Sequence, residues 1–362
     1  MTAEYSSFKT SASEDHGSEA LSGRTVHIVS SFPPEKCGVG GYAALQRDLF
    51  TKKGASVTAV TMHPEATADI HFDFYSFQGL ARWLWFCATV NLELVYVHFV
   101  DGYFFPSPPK KSPFHLFFRI LQAIGLWLLG RQAGCGGHMV VHEIRTGSSV
   151  SSTWKLLRNF AFSSFRVIEF HTEVNRRSFL ETYTLIKPER TFVVSGARYF
   201  IKHFDGTRKD ARIRLGLSPQ ECLFLCLGLV APAKGFDRAI RAFRSVDLSA
   251  TASLRIVGSI DAVDTAYLQE LESEAEKSPG THFHFGYLSE EDFDCWLQAA
   301  DVVILPYLSI FSSGVGARAS LYAKALIISD LPSLKEDFPN AAVFQDEAHL
   351  AKLFQEFAAN LS

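Results

Sequence analysis

Three short motifs of this 362-residue sequence place reactive or anion-binding groups directly after apolar runs. Lys234-Gly235 follows the run 223–227 and opens a helical pattern, so an ammonium group and helix amides stand where an anion could bind. Ser312-Ser313-Gly314-Val315 precedes a second helical pattern, in which a serine cap leaves backbone amides aimed outward. His142-Glu143 ends the apolar run 139–141 and supplies an imidazole. The first two motifs predict a phosphate-binding site, although a solvated lysine and a plain helix cap would leave the same pattern. A lone histidine at a strand end is more often structural than functional.

Glycines and further histidines follow other apolar runs. Gly258 and the turn Phe285-Gly286-Tyr287-Leu288 would let the backbone approach a flat ring, and ordinary turn glycines are the equally simple alternative. Gly38-Val39-Gly40-Gly41 lies between a strand pattern and a helical pattern. His98 and His171 also come at strand ends. We count His98, Glu143 and His171 as further candidates for a ligand cleft.

Alternating strands and helices must position these groups. In the first half, strands are predicted at the ranges 26–30, 57–61, 94–99, 139–142, 165–170 and 191–194, with a helix from Tyr42 to Lys53. In the second half, strands are predicted at 223–227, 253–257, 282–285, 302–305 and 326–329, and helices at 237–244, 265–276, 290–300, 314–323 and 347–359. Such alternation predicts α/β architecture with parallel sheets, so the strand ends meet at one edge.

Length and composition indicate two globular domains. Of the 362 residues, 47% are apolar and 20% charged, and the net charge of −3 argues against a dedicated nucleic-acid binder. The polar, serine-rich residues 1–23 predict a disordered tail without the features of a signal peptide. The polar stretch 203–214 places the domain junction, giving domains 24–205 and 206–362. The six scattered cysteines predict buried thiols in a reducing, cytoplasmic compartment.

The order and spacing of these motifs resemble the nucleotide-sugar half of retaining glycosyltransferases related to glycogen synthase and sucrose synthase, a family 4-like group called glycosyl transferases group 1. The resemblance implies the GT-B fold, in which two Rossmann-like doubly wound domains face a cleft. It also implies transfer of a hexose from a nucleotide diphosphate sugar to an acceptor hydroxyl, in polysaccharide or glycoconjugate synthesis. The implied partners are the donor and a glycan or lipid-linked acceptor, with no nucleic acid, no metal and no cofactor besides the donor substrate.

The resemblance also implies roles for individual residues. His142 would face the donor sugar, and Lys234 would bind the donor diphosphate; both are assigned as catalytic. The remaining assignments are to donor binding and cover Gly40, Gly41, Gly258, Tyr287, Leu288, Ser313, Gly314, Val315 and Arg318. The leaving phosphate itself would assist the incoming hydroxyl.

Three positions depart from the pattern of the resembled family. Leu229 stands where an arginine is usual, and Ile310 and Arg318 stand where two glutamates are usual. These departures favour an alternative function, a nucleotide-sugar-binding partner of a glycan assembly complex with little or no catalysis. A sugar-nucleotide epimerase with the same two-domain shape is a second alternative.

One apolar segment, residues 114–130, is too short and too polar for a membrane span. Its aromatic residues and basic flanks suggest peripheral contact with the inner face of a membrane, and the alternative is a helix packed within the protein. The residues concerned are Lys110, Lys111, Phe114, Phe117, Phe118, Trp127 and Arg131.

Overall fold

The computed structural model of the protein describes residues 21–34, 38–90, 93–105, 115–132, 137–147, 150–248, 252–260 and 265–361. The chain divides into two compact units, one ending at Val194 and the other beginning at Ser195. Most of the predicted tail lies outside the described residues, but Leu21 within it is buried.

The unit boundary lies earlier than the polar stretch 203–214 suggested, because the segment after Val194 is tied to the second unit. The backbone amide of His203 donates to Asp294 Oδ2 at 2.8 Å, and that of Phe204 donates to the Tyr322 hydroxyl at 3.2 Å. The polar stretch therefore belongs to the second unit, and Ala211 and Arg212 within it are buried.

The N-terminal unit is built around a parallel sheet of seven strands in the order β3-β2-β1-β4-β5-β6-β7. Its strands are β1 Thr25–Val29, β2 Ser56–Thr61, β3 Ile70–His71, β4 Leu94–Val100, β5 Gly137–Glu143, β6 Val167–Phe170 and β7 Thr191–Val193. Its helices are α1 Gly38–Lys52, α2 Phe77–Thr89, α3 Asp101–Phe104, α4 His115–Gln132, α5 Ser152–Phe162 and α6 Glu173–Thr182.

The C-terminal unit has a six-stranded parallel sheet in the order β10-β9-β8-β11-β12-β13. Its strands are β8 Cys222–Leu227, β9 Ala252–Gly258, β10 Thr281–Phe285, β11 Val302–Leu305, β12 Ala325–Ser329 and β13 Ala342–Phe344. Its helices are α7 Arg208–Arg214, α8 Phe236–Arg244, α9 Thr265–Glu276, α10 Glu290–Ala299, α11 Gly314–Leu321, α12 Pro332–Asp337 and α13 Glu347–Leu361.

Both sheets reverse their strand order at one place, between β1 and β4 in the first unit and between β8 and β11 in the second. In doubly wound sheets, ligands bind beyond the carboxyl ends of the strands at this switch point. The central strands are fully buried, as their continuous apolar runs predicted. The predicted α/β fold with two doubly wound domains is confirmed.

The structure differs from the predicted elements where the periodic signal was short or ambiguous. Helix α1 already begins at Gly38, so the predicted glycine loop forms the first turn of that helix. The strands Ile70–His71 and Ala342–Phe344 and the helix Pro332–Asp337 were not predicted, because two, three and six residues are too few for a period to show. The described cysteines are free and buried.

Candidate functional site

Two loops flank the switch point of the C-terminal sheet. The loop after β8 carries Lys234 in a short 3₁₀ turn, and Gly235 then adopts φ +60° before α8 begins. A side chain at Gly235 would place its Cβ 2.3 Å from the carbonyl oxygen of Pro306, which lies in the loop after β11. Leu308 N donates to Ala233 O at 2.9 Å and joins the two loops directly. The lysine therefore sits in a tightly defined turn.

Lys234 is half-buried against an aromatic ring. Its Nζ lies 4.1 Å from the centre of the Tyr307 ring, and burial lowers the pKa of its ammonium group to about 8. The ring face attracts the cation but replaces little of the hydration that burial removes. An ammonium group in this state gains more from an anionic ligand than a fully solvated lysine would.

Tyr307 extends the contact toward the Ser-Gly-Val motif. It is buried, and its hydroxyl lies 3.5 Å from Ser313 Oγ. Ser313 caps helix α11 by accepting a hydrogen bond from Gly316 N at 3.2 Å. The first amides of a helix have no partner within the helix, so those of Gly314 and Val315 point out of the helix start. Lys234 and this helix start thus border the same switch point.

Three glycines lie at the carboxyl ends of the neighbouring strands, and we call them the glycine floor. Gly228, Gly258 and Gly286 follow or end β8, β9 and β10, with φ values of +120°, +144° and +156°. A Cβ on Gly258 would lie 1.8 Å from Gly228 O, so only glycine fits there, whereas a Cβ on Gly286 would meet open space. Gly286 N donates to Gly258 O at 2.9 Å. The strand ends therefore present bare backbone, as close approach to a flat ligand requires.

The other donor-site predictions fall in different surroundings. Tyr287 is 61% exposed, and Leu288 packs against the core. The guanidinium group of Arg318 is held by α10, since Nε donates to Asp294 Oδ1 at 2.9 Å and Nη1 to Glu290 Oε2 at 2.6 Å. Its remaining nitrogen donates to the Glu290 carbonyl and to Asp294. Arg318 thus forms a buried ion-pair network between α10 and α11.

The structure brings the three candidate histidines of the N-terminal unit into one hydrogen-bonded chain. His98 Nδ1 lies 2.9 Å from His142 Nε2, and His142 Nδ1 lies 3.4 Å from His171 Nε2. Gln46 of α1 closes one end, 2.7 Å from His98 Nε2, and the carbonyl oxygen of Val194 closes the other, 3.3 Å from His171 Nδ1.

The Tyr42 ring makes T-shaped contacts with all three histidine rings, at centroid distances of 5.6, 5.1 and 5.8 Å. Glu143 lies at the exposed end of β5, outside the chain, while Gly40 is buried in the first turn of α1 and Gly41 is half-buried there.

The number of protons in the histidine chain depends on the orientation of Gln46. Each contact needs one proton between its two atoms, so carbonyl oxygens at both ends require four protons on three rings, and one ring would be charged. Turning the amide nitrogen of Gln46 toward His98 lowers the requirement to three protons, and every ring is neutral. Burial lowers the pKa of His142 well below its usual value, and His171 and His98 lower it further, which favours the neutral arrangement.

Both ring nitrogens of His142 are therefore occupied by other histidines. A sugar hydroxyl would have to displace one of these contacts to reach the ring. In this structure His142 therefore hydrogen-bonds to the two other histidines, and neither of its nitrogens is available to a ligand. In the described part of the protein, no group of three or more His, Cys, Asp or Glu side chains is arranged to hold a metal ion, and the histidine nitrogens face one another.

Sequence reasoning missed Tyr307, Gln46 and Tyr42, which connect the predicted residues. The position of Tyr307 could have been recognised from the sequence, because it comes two residues after the end of β11, where ligand-binding residues are expected. Gln46 and Tyr42 are one helical turn apart, but nothing in the sequence shows which neighbours they meet.

Comparison with known proteins gives a family match for part of the chain and structural matches for most of it. Residues 207–318 match the family model "Glycosyl transferases group 1". A comparison of the sequence with curated proteins gives no match. Among solved structures, sucrose-phosphate synthase from Thermosynechococcus elongatus is similar with a TM-score of 0.68 at 15% identity, over 93% of this chain and 90% of that one.

Two further structures share the fold. The Anabaena protein HepE, in complex with UDP and glucose, gives a TM-score of 0.65 at 13% identity, over 93% of this chain and 92% of that one. The catalytic domain of starch synthase IV from Arabidopsis thaliana, bound to ADP and acarbose, gives 0.63 at 12%, over 94% and 92%. This chain therefore has the GT-B fold, and residues 207–318 of its C-terminal unit are similar to the glycosyl transferases group 1 family.

Proposed function

We propose that this protein transfers a sugar from a nucleoside diphosphate sugar to an acceptor hydroxyl. The proposal rests on the arrangement at the switch point of the C-terminal sheet. Lys234 and the start of helix α11 at Ser313 lie there beside three strand ends that carry glycine. The glycine floor suits a flat nucleobase, and the lysine and helix amides suit a diphosphate. The solved structures of HepE with UDP and of starch synthase IV with ADP show nucleotides bound to proteins of this fold.

In this proposal, the protein assists the reaction by stabilising the departing diphosphate. Negative charge builds on the leaving oxygen as the sugar–phosphate bond breaks, and a nearby ammonium group with oriented amides stabilises it more than bulk water does. Because Lys234 and the α11 amides supply positive charge, we propose a metal-independent reaction. We further propose retention of configuration, with the leaving phosphate accepting the proton of the incoming hydroxyl.

A second function, binding of a nucleotide sugar without catalysis, is favoured by three positions. Leu229 supplies no second cation beside Lys234, and Ile310 supplies no carboxylate at the donor sugar. Arg318, at the other expected glutamate position, is engaged with Glu290 and Asp294. If these groups are needed for turnover, the protein would bind the donor and transfer nothing.

The two functions are separated by measuring donor binding and turnover on the same samples. A panel of nucleotide sugars is screened by calorimetry, and release of free nucleoside diphosphate is then followed with and without acceptor. Binding followed by release or transfer supports the enzyme, and binding alone supports the non-catalytic partner. If no nucleotide sugar binds, both functions fail.

A matched pair of lysine variants assigns the effect to the site. Lys234→Ala removes one charge-assisted contact, which costs about 1.5–3 kcal/mol of donor binding. Lys324→Ala is the control, because burial also lowers the pKa of Lys324 to about 8 but its Nζ donates to the carbonyl of Gln298. Equal donor affinity in both variants contradicts the role of Lys234.

For the acceptor, we propose a glycan or a lipid-linked sugar used in polysaccharide or glycoconjugate synthesis near a membrane. Among the helices within the described ranges, none combines the length and apolar character needed to cross a bilayer. Helix α4 nevertheless exposes Leu116, Phe117 and Ile120 to between 38% and 49%, beside Phe77 of α2 at 56%. Exposed aromatic and aliphatic side chains of this kind suit a peripheral contact.

The other residues of the predicted membrane segment are divided between surface and interior. Phe118 packs against Phe77 with ring centres 4.7 Å apart, and Trp127 stacks on Phe160 at 5.3 Å. Arg131 lies 5.3 Å from the Trp127 ring. Lys110, Lys111 and Phe114 lie outside the described residues. The proposed contact therefore rests on the first turns of α4 and not on Phe118 or Trp127.

A further inference from the structure

A cavity lies near the amino ends of the strands of the C-terminal sheet, whereas the switch point is formed by their carboxyl ends. The cavity has a volume of about 280 Å³ and is lined by residues at or near the starts of β8, β9 and β10, among them Glu221, Arg255 and His282. Strand β8 is six residues long, so at ~3.3 Å per residue about 20 Å separate this cavity from the loop that follows β8. We call it the polar cavity, and it is distinct from the proposed donor site.

A buried ion pair forms part of the lining of the polar cavity. Ser253 Oγ donates to Glu221 Oε1, and Arg255 donates to the same oxygen from Nε at 3.0 Å and from Nη2 at 2.8 Å. Burial raises the pKa of Glu221, but the hydrogen bonds from Ser253 and Arg255 outweigh this effect and hold the pKa below its usual value. Glu221 is therefore ionised at neutral pH, and the two charges of the pair cancel.

The pair keeps hydrogen-bonding groups that the protein does not use. A guanidinium group has five N–H donors. Two of those of Arg255 donate to Glu221 and a third contacts His284 Nε2 at 3.2 Å, so two have no partner among the described residues. Glu221 Oε2 accepts no hydrogen bond from a side chain of the described ranges. The unused donors and the unused acceptor belong to one ion pair and therefore lie close together.

His282 adds a neutral imidazole to the lining. Its side chain is exposed and makes no hydrogen bond within the part of the chain that the structure describes. Partial burial lowers the pKa of the ring, and Arg255 lowers it further against the opposing effect of Glu221. The ring is therefore neutral at neutral pH, with one nitrogen that donates and one that accepts.

The lining of the polar cavity discriminates against charged and apolar ligands. Glu221, Arg255 and His282 are its ionisable members among the described residues, and together they carry no net charge at neutral pH. An anionic group would meet Glu221 and a cationic group would meet Arg255, so neither gains a net attraction. An apolar ligand would cover the unused N–H groups and the carboxylate oxygen without giving them a partner, which is unfavourable.

We propose that the polar cavity binds a neutral sugar unit of a glycan. A hydroxyl group both donates and accepts, so neighbouring sugar hydroxyls can donate to Glu221 and accept from Arg255 at the same time. The volume of about 280 Å³ equals that of roughly nine water molecules at ~30 Å³ each, which fits one sugar ring and leaves the rest of a glycan outside. Binding here goes beyond the proposed function and does not depend on it. In a protein that also transfers sugar, the site would retain the glycan between transfers.

The test uses His282→Ala, because an exposed side chain can be removed without breaking the buried pair. Binding of neutral trisaccharides of glucose, galactose and mannose to the full chain is measured by calorimetry at neutral pH. His349→Ala is the matched control, since His349 lies in the same unit and its ring makes no hydrogen bond among the described residues. We expect at least one trisaccharide to bind, with affinity about fivefold lower in H282A and unchanged in H349A.

Glu221→Gln tests the charge balance that selects a neutral ligand. The trisaccharide that binds is compared with its anionic uronic acid counterpart, for example galactotriose with trigalacturonic acid. The anion should bind the wild type at least about tenfold more weakly, because its carboxylates meet Glu221. Glu221→Gln leaves the charge of Arg255 unbalanced and should narrow this difference, whereas a purely structural role of Glu221 predicts equal losses for both sugars. Melting temperatures of all variants show whether a loss of binding comes from unfolding.

Lys234→Ala separates the polar cavity from the proposed donor site and should leave the trisaccharide affinity unchanged. A loss in this variant alone assigns the sugar to the donor site and contradicts the inference. Equal affinities of the wild type, H282A and E221Q, or no binding of any of the three sugars, would overturn it. Nucleotide sugars are titrated into the same samples. If they bind and no trisaccharide does, the inference fails while the proposed function stands, and the reverse result leaves the sugar site and removes the proposed function.

Discussion

Lys234 Nζ lies 4.1 Å from the centre of the Tyr307 ring, and this contact joins two loops that the sequence presents as separate motifs. The lysine comes from the loop after β8 and the tyrosine from the loop after β11, the two strands at the switch point. The ring holds the ammonium group beside the helix start at Ser313. The position of the charge is therefore set by a residue that is not itself a candidate ligand contact.

Replacing Tyr307 should weaken donor binding only when the ring is lost. Tyr307→Leu removes the cation–π contact, worth about 0.5–2 kcal/mol, and frees the lysine to move into solvent. Tyr307→Phe keeps the ring and loses only the weak contact between the hydroxyl and Ser313. Donor dissociation constants should rise several-fold for Y307L and stay within twofold for Y307F. An equal effect of both substitutions contradicts the role of the ring.

Donor affinity should fall as the pH rises through about 8. Burial lowers the pKa of Lys234 to about 8, so the unliganded protein loses the binding cation above that pH. A ligand that binds only the protonated form loses up to tenfold in affinity per pH unit. Calorimetric titrations from pH 6.5 to 9.5 measure this. Lys234→Arg keeps its charge over the whole range, and a profile for this variant that falls as steeply as that of the wild type assigns the effect to another group.

Two glycine substitutions should separate stability from binding. Gly258→Ala places a Cβ 1.8 Å from Gly228 O and should lower the free energy of unfolding by several kcal/mol, about 3 or more. Gly286→Ala meets no atom within 4 Å and carries only the strain of its φ of +156°, about 1 kcal/mol. If a nucleobase rests on this floor, G286A should lose donor affinity despite its nearly unchanged melting temperature. Undiminished donor affinity in G286A would place the nucleobase elsewhere.

The histidine chain should make the protein less stable in acid. Burial lowers the pKa of His142 below the ordinary 6.5, so below that pH the unfolded chain binds more protons than the folded one. The stability contribution is thus fully present above pH 6.5 and is lost as the pH falls toward the lowered value. One such proton costs up to about 1.4 kcal/mol per pH unit.

Urea unfolding of wild type and His142→Gln at pH 7.5 and 5.5 checks this. H142Q should lose about 1 kcal/mol less than the wild type between the two pH values. His349→Gln, in the terminal helix α13, is the control and should match the wild type. An identical acid loss in H142Q shows that His142 does not titrate differently on folding.

Membrane association, if it occurs through α4, should depend on Phe117 and not on Trp127. Phe117 is 46% exposed, and burial of an aromatic side chain in a bilayer contributes roughly 1.5–3 kcal/mol. Phe117→Glu should abolish co-sedimentation with anionic vesicles, whereas Leu156→Glu, an equally outward substitution on α5 at 67% exposure, should leave it intact. Wild-type protein that binds donor but does not pellet at low salt makes a soluble acceptor the better proposal.

Local sequence patterns were enough to predict the fold class and the residues at most strand ends. The apolar run Val302–Leu305 and the helical pattern Thr265–Glu276 are local, so their bounds were predicted residue for residue. Because parallel strands share one carboxyl edge, Lys234, Ser313 and Gly258 were predicted near each other without knowledge of any contact.

The contacts among these groups could not be predicted from local patterns. The hydrogen bonds among His98, His142 and His171 depend on the register of three strands. The ion pair between Arg318 and Asp294 depends on the packing of α10 against α11. The pairing of Lys234 with Tyr307, like that of Asp101 with Arg158, joins residues more than fifty positions apart. Contacts of this range are fixed by strand order and helix packing, which no local pattern of residues contains.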